Sequence, residues 1–386
     1  MAGHDAPALT DSQIRDSLFH PIGSKTIGEL ARGKTGKIVI TVDDLTRPTP
    51  AYRVLPFIMK ELEESGIAAN QILLIGAVGL HHPMNLQDFS LKVGPEMVAK
   101  YEVVNHHPFE YFEEVGKTSR GTPLKINYEF ANADLKIVVC GVKKHSFAGA
   151  GGSGKAVIPG VASIDTIFYN HMAIPYPLDD STTSSTWKIK GNAPRADMQE
   201  AARMVGVDVT VNCTCNGDRD LIGLHVGDLD DAWHEAVRFC YKMHSCKPPT
   251  NKVDIVVVNA YPQTTQGADW WGAVDSLREG GSAVAIAKHP WASAIVHYLE
   301  ERRSWRSSRL HGSPEGPWPV KQAERIIQYS DFLAMREKLQ YSSKVEWVTS
   351  WPEVIGGLNR THGDSANVVV FHDKLQFNPD NMQLII

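Results

Sequence analysis

Short runs of β-branched and aliphatic residues alternate with helical stretches from residue 37 to near the end of the chain. No other feature constrains the fold as much. KIVITV (37–42), QILLIGA (71–77), YEVVNH (101–106) and DLKIVVCG (134–141) read as strands. Between the first two lies AYRVLPFIMKELEES (51–65), apolar at helical spacing and closed by Gly66, and a helical patch falls near 95–100. Helices are expected at 163–175, 194–205 and 229–244, and strands at 207–213 and 221–226. The polar, turn-rich KPPTNK (247–252) then interrupts the rhythm, which divides the chain into 1–250 and 251–386. Beyond it the pattern restarts: strand 254–260, helix 268–279, strand 282–287, helix 291–303, helix 320–340, and strands at 345–350 and 366–372. The stretches 181–186 and 304–319 read as loops. Strands alternating with helices make mostly parallel sheets with helices on their faces. The expected fold is two α/β domains, in keeping with 386 residues.

Composition narrows the function. The net charge of −5 argues against a broad nucleic-acid or anionic-membrane surface. No apolar run approaches the roughly 18–20 residues that span a bilayer. The first residues lack the basic and apolar regions of a signal peptide. Five cysteines at irregular spacing fit reduced thiols in the cytoplasm. Cys213-Thr214-Cys215 reads as two packed thiols rather than a metal site.

In open parallel sheets, ligands bind beyond the carboxyl ends of the strands. Those ends are unusually polar here. The first strand runs into Asp43-Asp44-Leu45-Thr46-Arg47-Pro48, the second into Gly79-Leu80-His81-His82-Pro83, and the third ends in Asn105-His106-His107-Pro108. The fourth leads to Lys143-Lys144-His145 and a glycine-rich loop. Six of the 16 histidines lie between 81 and 171. Several strands delivering His, Asp and Arg to one edge point to a catalytic or metal-binding role for at least two of these histidines.

The loop Gly149-Ala150-Gly151-Gly152-Ser153-Gly154-Lys155 fits G-x-x-x-x-G-K, in which backbone amides cradle phosphate. A phosphate-loop nucleotide-binding protein is therefore one alternative. Against it, Ala156 stands where that loop needs Ser or Thr, and Pro159-Gly160 breaks the helix that should follow.

Taken in order, DDLTRPTP, GLHHPM, NHH, HSFAGAGGSGKAVIPG and Tyr169-Asn170-His171 resemble the lactate racemase family. These motifs span about 41–171, and the spacing of His145, Lys155 and His171 is the most specific part. The resemblance implies a racemase or epimerase of 2-hydroxy acids. Its cofactor would be a nickel-pincer nucleotide, the nickel complex of pyridinium-3,5-bisthiocarboxylic acid mononucleotide. On this resemblance Lys155 carries the cofactor through a thioamide, and His171 ligates nickel beside two sulfurs and one carbon. His81 and His145 are the acid/base pair, and Arg47 lies near the substrate carboxylate. Asp44, Gly151, Gly152 and Ser153 belong to the cofactor site. The site is expected in the cleft between the two domains, with proteins that build the cofactor as partners. A non-catalytic family member is the other alternative.

Elementary chemistry fits those roles. An unactivated Cα–H is too weakly acidic for a lone imidazole. Its removal as hydride onto a pyridinium avoids a carbanion, while a neutral imidazole takes the hydroxyl proton. The chain also departs from the family pattern. It has Gly79-Leu80-His81-His82 for G-x-H-R and Asn105-His106-His107 for N-H-D. After Tyr261-Pro262, where a Gln and a Lys three apart are expected, it reads Gly267-Ala268-Asp269-Trp270-Trp271-Gly272-Ala273. The expected substrate is therefore larger than lactate, a sugar acid or another bulky hydroxy acid. Trp270 or Trp271 would line its pocket, with Gln263, Thr264 and Gln266 nearby.

Overall fold

The computed structural model describes residues 3, 5–174, 185–262, 269–287, 318–332, 338 and 341–386. The chain forms two compact units, Met1–Met243 with Gln383–Ile386, and His244–Met382. The first unit holds β1 (Ile38–Val42), β2 (Ile72–Gly76), β3 (Glu102–Asn105), β4 (Phe112–Lys117), β5 (Pro123–Asn127), β6 (Leu135–Gly141), β7 (Lys144–His145), β8 (Gly149–Ala150), β9 (Val209–Cys215) and β10 (Leu221–Gly227). Six of these form one sheet in the order β10-β9-β6-β1-β2-β3, parallel except for β10 against β9. β1, β2, β6, β9 and β10 are buried along one or both faces because alternate side chains meet different layers, whereas the edge strand β3 is only partly covered. Ile38, Ile40, Val42, Leu74, Ile137 and Val211 share one core with Ile14, Leu18, Val54, Leu55, Ile58 and Leu62 from two helices. The helix Ala51–Glu64 docks there because its apolar residues recur three and four apart.

Register decides where the loops emerge. Val42 pairs with Gly76 on one side and Val139 on the other, so β1, β2 and β6 end at one edge of the sheet. The chain's last residues return to this unit, where the Ile385 carbonyl accepts from the amides of Ile189 (2.7 Å) and Lys190 (3.0 Å).

The second unit holds β11 (Val253–Asn259), β12 (Leu277–Ile286), β13 (Ala323–Tyr329), β14 (Glu346–Val348) and β15 (Val368–Phe371). They form one parallel sheet, ordered β14-β13-β12-β11-β15. Both units are thus α/β with mostly parallel sheets.

Two expectations need correction. Residues 323–329 form a strand, not part of a helix. Ala, Glu, Arg and Gln favour helix, but Ile326 and Ile327 are both fully buried in a strand between β12 and β14, and tertiary packing overrides propensity there. The helix expected at 268–279 is confined to Trp271–Ser276, because the chain enters β12 at Leu277. The small hairpin of β4 and β5 and the helices Asp11–Phe19 and Trp351–His362 are additions that the sequence pattern does not announce. The helix expected at 291–303, most of the loops at 181–186 and 304–319, and Gln263, Thr264 and Gln266 lie outside the described residues.

Candidate functional site

One pocket of the first unit gathers the loops at this sheet edge. It takes Asp43, Asp44 and Arg47 from the end of β1, and His81 from beyond β2. Lys143 and His145 come from beyond β6, and Gly151, Gly152 and Lys155 from the glycine loop.

The two adjacent aspartates do different work. Asp43 is a tie. Its Oδ2 accepts from the Thr49 hydroxyl (2.6 Å) and the Gly141 amide (2.9 Å), and its Oδ1 from the buried Lys92 ammonium (2.7 Å). It thereby locks the ends of β1 and β6 together. Asp44 turns towards the pocket. Its Oδ1 accepts from the Thr46 amide (2.8 Å), and its Oδ2 accepts from Nδ1 of His81 (2.7 Å). Burial raises the Asp44 carboxyl, but the facing His81 and Arg47 outweigh it and hold the group well below the usual range. Asp44, expected in the cofactor site, lines the pocket and also holds His81 in place. The His81 imidazole is lowered by burial, pulled back up by Asp44, and lowered again by Arg47 and Lys155. It is neutral at pH 7, with Nδ1–H on Asp44 and a bare Nε2.

The strands β7 and β8 form a tiny hairpin around His145. Its Nδ1 accepts from the amides of Phe147 (3.2 Å) and Ala148 (3.1 Å). Burial holds this imidazole well below its ordinary value, helped by Lys155, Lys143 and Arg47.

The glycine loop is not a phosphate cradle. The amide of Gly151 donates to Lys143 O (2.7 Å), that of Ser153 to Cys140 Sγ (3.2 Å), and that of Gly154 to Gln199 Oε1 (2.9 Å). Ser153 is fully buried and its hydroxyl donates to Leu229 O (2.6 Å), so Ser153 supports the loop from within instead of facing a ligand. Glycine is required for close approach: a Cβ on Gly154 would sit 2.6 Å from Met198 O, and one on Gly149 2.3 Å from Lys188 O. The buried guanidinium of Arg195 donates to the carbonyls of Ala148 (3.0 Å), Gly152 (3.1 Å) and Ala150. It also lies over the Trp233 ring, whose Nε1 donates to Gly151 O (2.7 Å). Among the described residues Arg195 has no carboxylate partner within 4 Å, and burial lowers it to about 9. Neither Arg195 nor Trp233 was legible as a site residue, since each reaches the loop from a helix more than 40 residues away.

Lys155 shares this environment. Its amine has no hydrogen-bond or ion-pair partner among the described residues. Burial, then Arg47 and Arg195, hold it well below the ordinary lysine value. An amine lowered in this way is unprotonated, and so nucleophilic, at a lower pH than an ordinary lysine. His81 and His145 line the same pocket as Lys155, and the charge of Lys155 also lowers the His171 ring.

His171 lies outside the pocket lining, on the π-helical turn Tyr169–Ala173, a rare element concentrated at functional sites. The turn is pinned by Asn170, whose amide donates to buried Asp197 (2.7 Å). Asp197 also accepts from the hydroxyls of Thr118 (2.5 Å) and Thr122 (2.8 Å). Nδ1 of His171 donates to Ile167 O (3.1 Å), and the ring stacks on Phe147 at 4.6 Å. This leaves a bare Nε2, the arrangement expected of a metal ligand. Among the described residues no three His, Cys, Asp or Glu side chains gather to hold an ion alone. A metal here would take its other donors from a bound cofactor.

Other strand-end residues have structural places. His106 is buried, with Nε2 donating to Ala162 O (2.9 Å), while His82 and His107 are exposed. Cys213 and Cys215 are buried free thiols, as expected. In the second unit, Trp271 packs edge-on to Phe371 (4.8 Å) and Trp270 to Tyr341 (6.5 Å), against the core around Val256 and Val258.

The family model for the lactate racemase N-terminal domain matches residues 4–181. The chain is 30% identical over 282 residues to a lactate racemase of Lactiplantibacillus plantarum, covering 71% of this chain. It is 28% identical over 251 residues to one of Thermoanaerobacterium thermosaccharolyticum, covering 64% of this chain. The matches span 65% and 58% of those relatives' lengths. In fold, the chain superposes on the lactate racemase apoprotein of T. thermosaccharolyticum with a TM-score of 0.70 at 21% identity, covering 96% of this chain and 93% of that one. A protein from Thermotoga maritima gives 0.67 at 15% identity, covering 98% and 100%. Through its N-terminal domain, the chain belongs to the lactate racemase family.

Proposed function

We propose that this chain is a racemase or epimerase of a 2-hydroxy acid, working with a lysine-tethered nickel-pincer nucleotide. The observation that carries the reading is the assembly around one amine, that of Lys155. The Asp44-held His81, His145 and Arg47 line the same pocket as Lys155, and His171 lies within electrostatic reach of it. The residues fit the cofactor: Lys155 is the tethering amine and His171 Nε2 the protein's nickel ligand. When bound, the cofactor would supply a reversible hydride acceptor.

The chain's own residues do the rest. Arg47, with its planar fork, holds the substrate carboxylate and so fixes the hydroxyl-bearing carbon. His81 and His145 hold or move the proton at the hydroxyl oxygen.

The substrate is proposed to be larger than lactate, because the Gln and Lys three apart are missing after Tyr261-Pro262. The location is proposed as cytoplasmic, with cofactor-building proteins as partners. Among the described residues, no helix is long and apolar enough to cross a membrane.

The test is protein made in a host that assembles the cofactor. Peptide mass mapping is expected to find the adduct on Lys155, together with nickel. A panel of hydroxy acids is expected to show racemisation, with lactate poorer than C5–C6 acids. Active protein with Lys155 unmodified would sink the tether, and lactate as best substrate would sink the larger-substrate reading.

A further inference from the structure

We propose that Asn170 and Asp197 are positioning residues for the metal ligand. Together they hold the π-helical turn that carries His171, and so fix the direction of its Nε2 before any cofactor arrives. That His171 ligates nickel rests on the function proposed above; the clamp on its turn does not.

The turn needs a cause from outside itself. The Ile174 amide donates to Tyr169 O (3.3 Å), one residue further back than in an α-turn, and such turns are rare. The helix Ile164–Phe168 runs into Tyr169–Ala173 with no proline or glycine to force the change. Relaxation to α spacing would rotate side chains across the insertion by roughly 100°, the angle of one residue. His171 lies in the middle of the turn, so its ring would leave the Phe147 face on which it stacks at 4.6 Å. The bond from His171 Nδ1 to Ile167 O (3.1 Å) stays within the same helix and cannot anchor the turn to its surroundings.

The neighbouring side chain does anchor it. Asn170 is fully buried, and its Nδ2 donates to Asp197 Oδ2 (2.7 Å) and to Pro194 O (3.2 Å). Both partners belong to the helix Ala193–Val205. Asp197, also fully buried, accepts from the hydroxyls of Thr118 (2.5 Å) and Thr122 (2.8 Å). These threonines close the turn between β4 and β5: the Thr118 amide donates to Thr122 O (3.0 Å), and the Thr122 amide to Thr118 Oγ1 (3.1 Å). The side-chain donors to Asp197 are all neutral, so no ion pair offsets the burial of this carboxyl. Its place is geometric: it supplies the acceptor that Asn170 needs and ties the small hairpin to the ligand's turn.

The test compares Asn170→Ala, Asp197→Ala and Asp197→Asn with the parent. Asn170→Ala cuts the link but leaves the bonds between Asp197 and the threonines. Asp197→Asn can keep its oxygen towards Asn170 and Thr122 and turn its NH₂ to the Thr118 hydroxyl oxygen. The first readout is nitrogen NMR of cofactor-free protein labelled with ¹⁵N in its histidine rings, assigned through His81→Gln, His145→Gln and His171→Gln. Both alanine variants are expected to move the His171 signals and leave those of His81 and His145 in place; Asp197→Asn should match the parent. The second readout is cofactor-loaded protein against a competing chelator. Every variant should keep the adduct on Lys155, while the alanine variants hold nickel about 10–100-fold more weakly. Should Asp197→Ala not fold, Asn170→Ala, which keeps the brace, decides alone. Unmoved His171 signals or parent-like nickel retention in Asn170→Ala overturns the proposal, and so does an Asp197→Asn variant as defective as Asp197→Ala. A parent that takes up neither adduct nor nickel, beside moved His171 signals in the alanine variants, would count against the proposed function alone.

Discussion

Two lysines of the first unit, Lys92 and Lys155, show how much a side chain's chemistry depends on its partners. Lys92 is 2% exposed, and its ammonium meets Asp43 Oδ1 at 2.7 Å, Thr49 O at 3.0 Å and Arg47 O at 3.2 Å. It is a structural cation with its charge answered. Lys155 has no such partner among the described residues, and burial, then Arg47 and Arg195, penalise its charged form. The expected outcome is early reactivity. In cofactor-free protein, the rate of Lys155 acylation by a small amine-directed reagent should level off at a pH well below the ~10.4 of an ordinary lysine. Arg47→Met should shift that plateau upward. Peptide mass mapping of timed samples at several pH values reads it, and a Lys155 rate still climbing through pH 10 would mean that the amine is protonated in the fold. Identity at 155 was legible in the sequence, because the run around it is distinctive. Its protonation was not, because Arg195 comes from a helix 40 positions on.

At the scale of elements, the sequence revealed which strands end together but not how the loops beyond them are held. Runs such as KIVITV and DLKIVVCG are read from composition alone, and parallel pairing then forces Asp44, His81 and His145 to one edge. The glycine loop shows the limit. Its spacing reads as a phosphate cradle, yet Gln199, Cys140 and Lys143 take its amides and Arg195 takes its carbonyls. Partners distant in sequence leave no local pattern. The strand Ala323–Tyr329 reads as helix for a related reason, since its neighbours on both sides supply the context that propensity lacks. Arg195 is accordingly expected to matter for the loop's shape. Arg195→Met removes three charge-assisted bonds to carbonyls, of which Ala148 O keeps the Ala150 amide and Gly152 O the Lys155 amide, and should cost about 3 kcal/mol, read as a lower urea midpoint. Arg195→Lys should recover part of it, having one donor head in place of a planar fork. Equal midpoints for Arg195→Met and the parent would show that the loop holds without the guanidinium.

For the first unit as a whole, the buried neutral histidines set a pH window. His106 is 2% exposed, beside Ala162 O on one side and the Phe112 ring on the other, and burial lowers it to about 4. In the unfolded chain it titrates at about 6.5. Below that value the unfolded chain binds a proton that the folded chain refuses, so stability falls as pH drops from about 6.5 towards 4 and is whole above it. Between pH 7 and pH 5 this one residue should remove about 2 kcal/mol. His81 and His145, also lowered, act in the same direction. Asp44, whose lowered carboxyl contributes stability above about 3.9, adds a further loss at still lower pH. The measurement is the urea midpoint at pH 7 and pH 5 for the parent and for His106→Gln, whose amide Nε2–H can still donate to Ala162. The variant is expected to lose about 2 kcal/mol less than the parent over that interval. Equal losses would mean that His106 takes up its proton within the folded unit, and that the acid sensitivity lies with the pocket histidines instead.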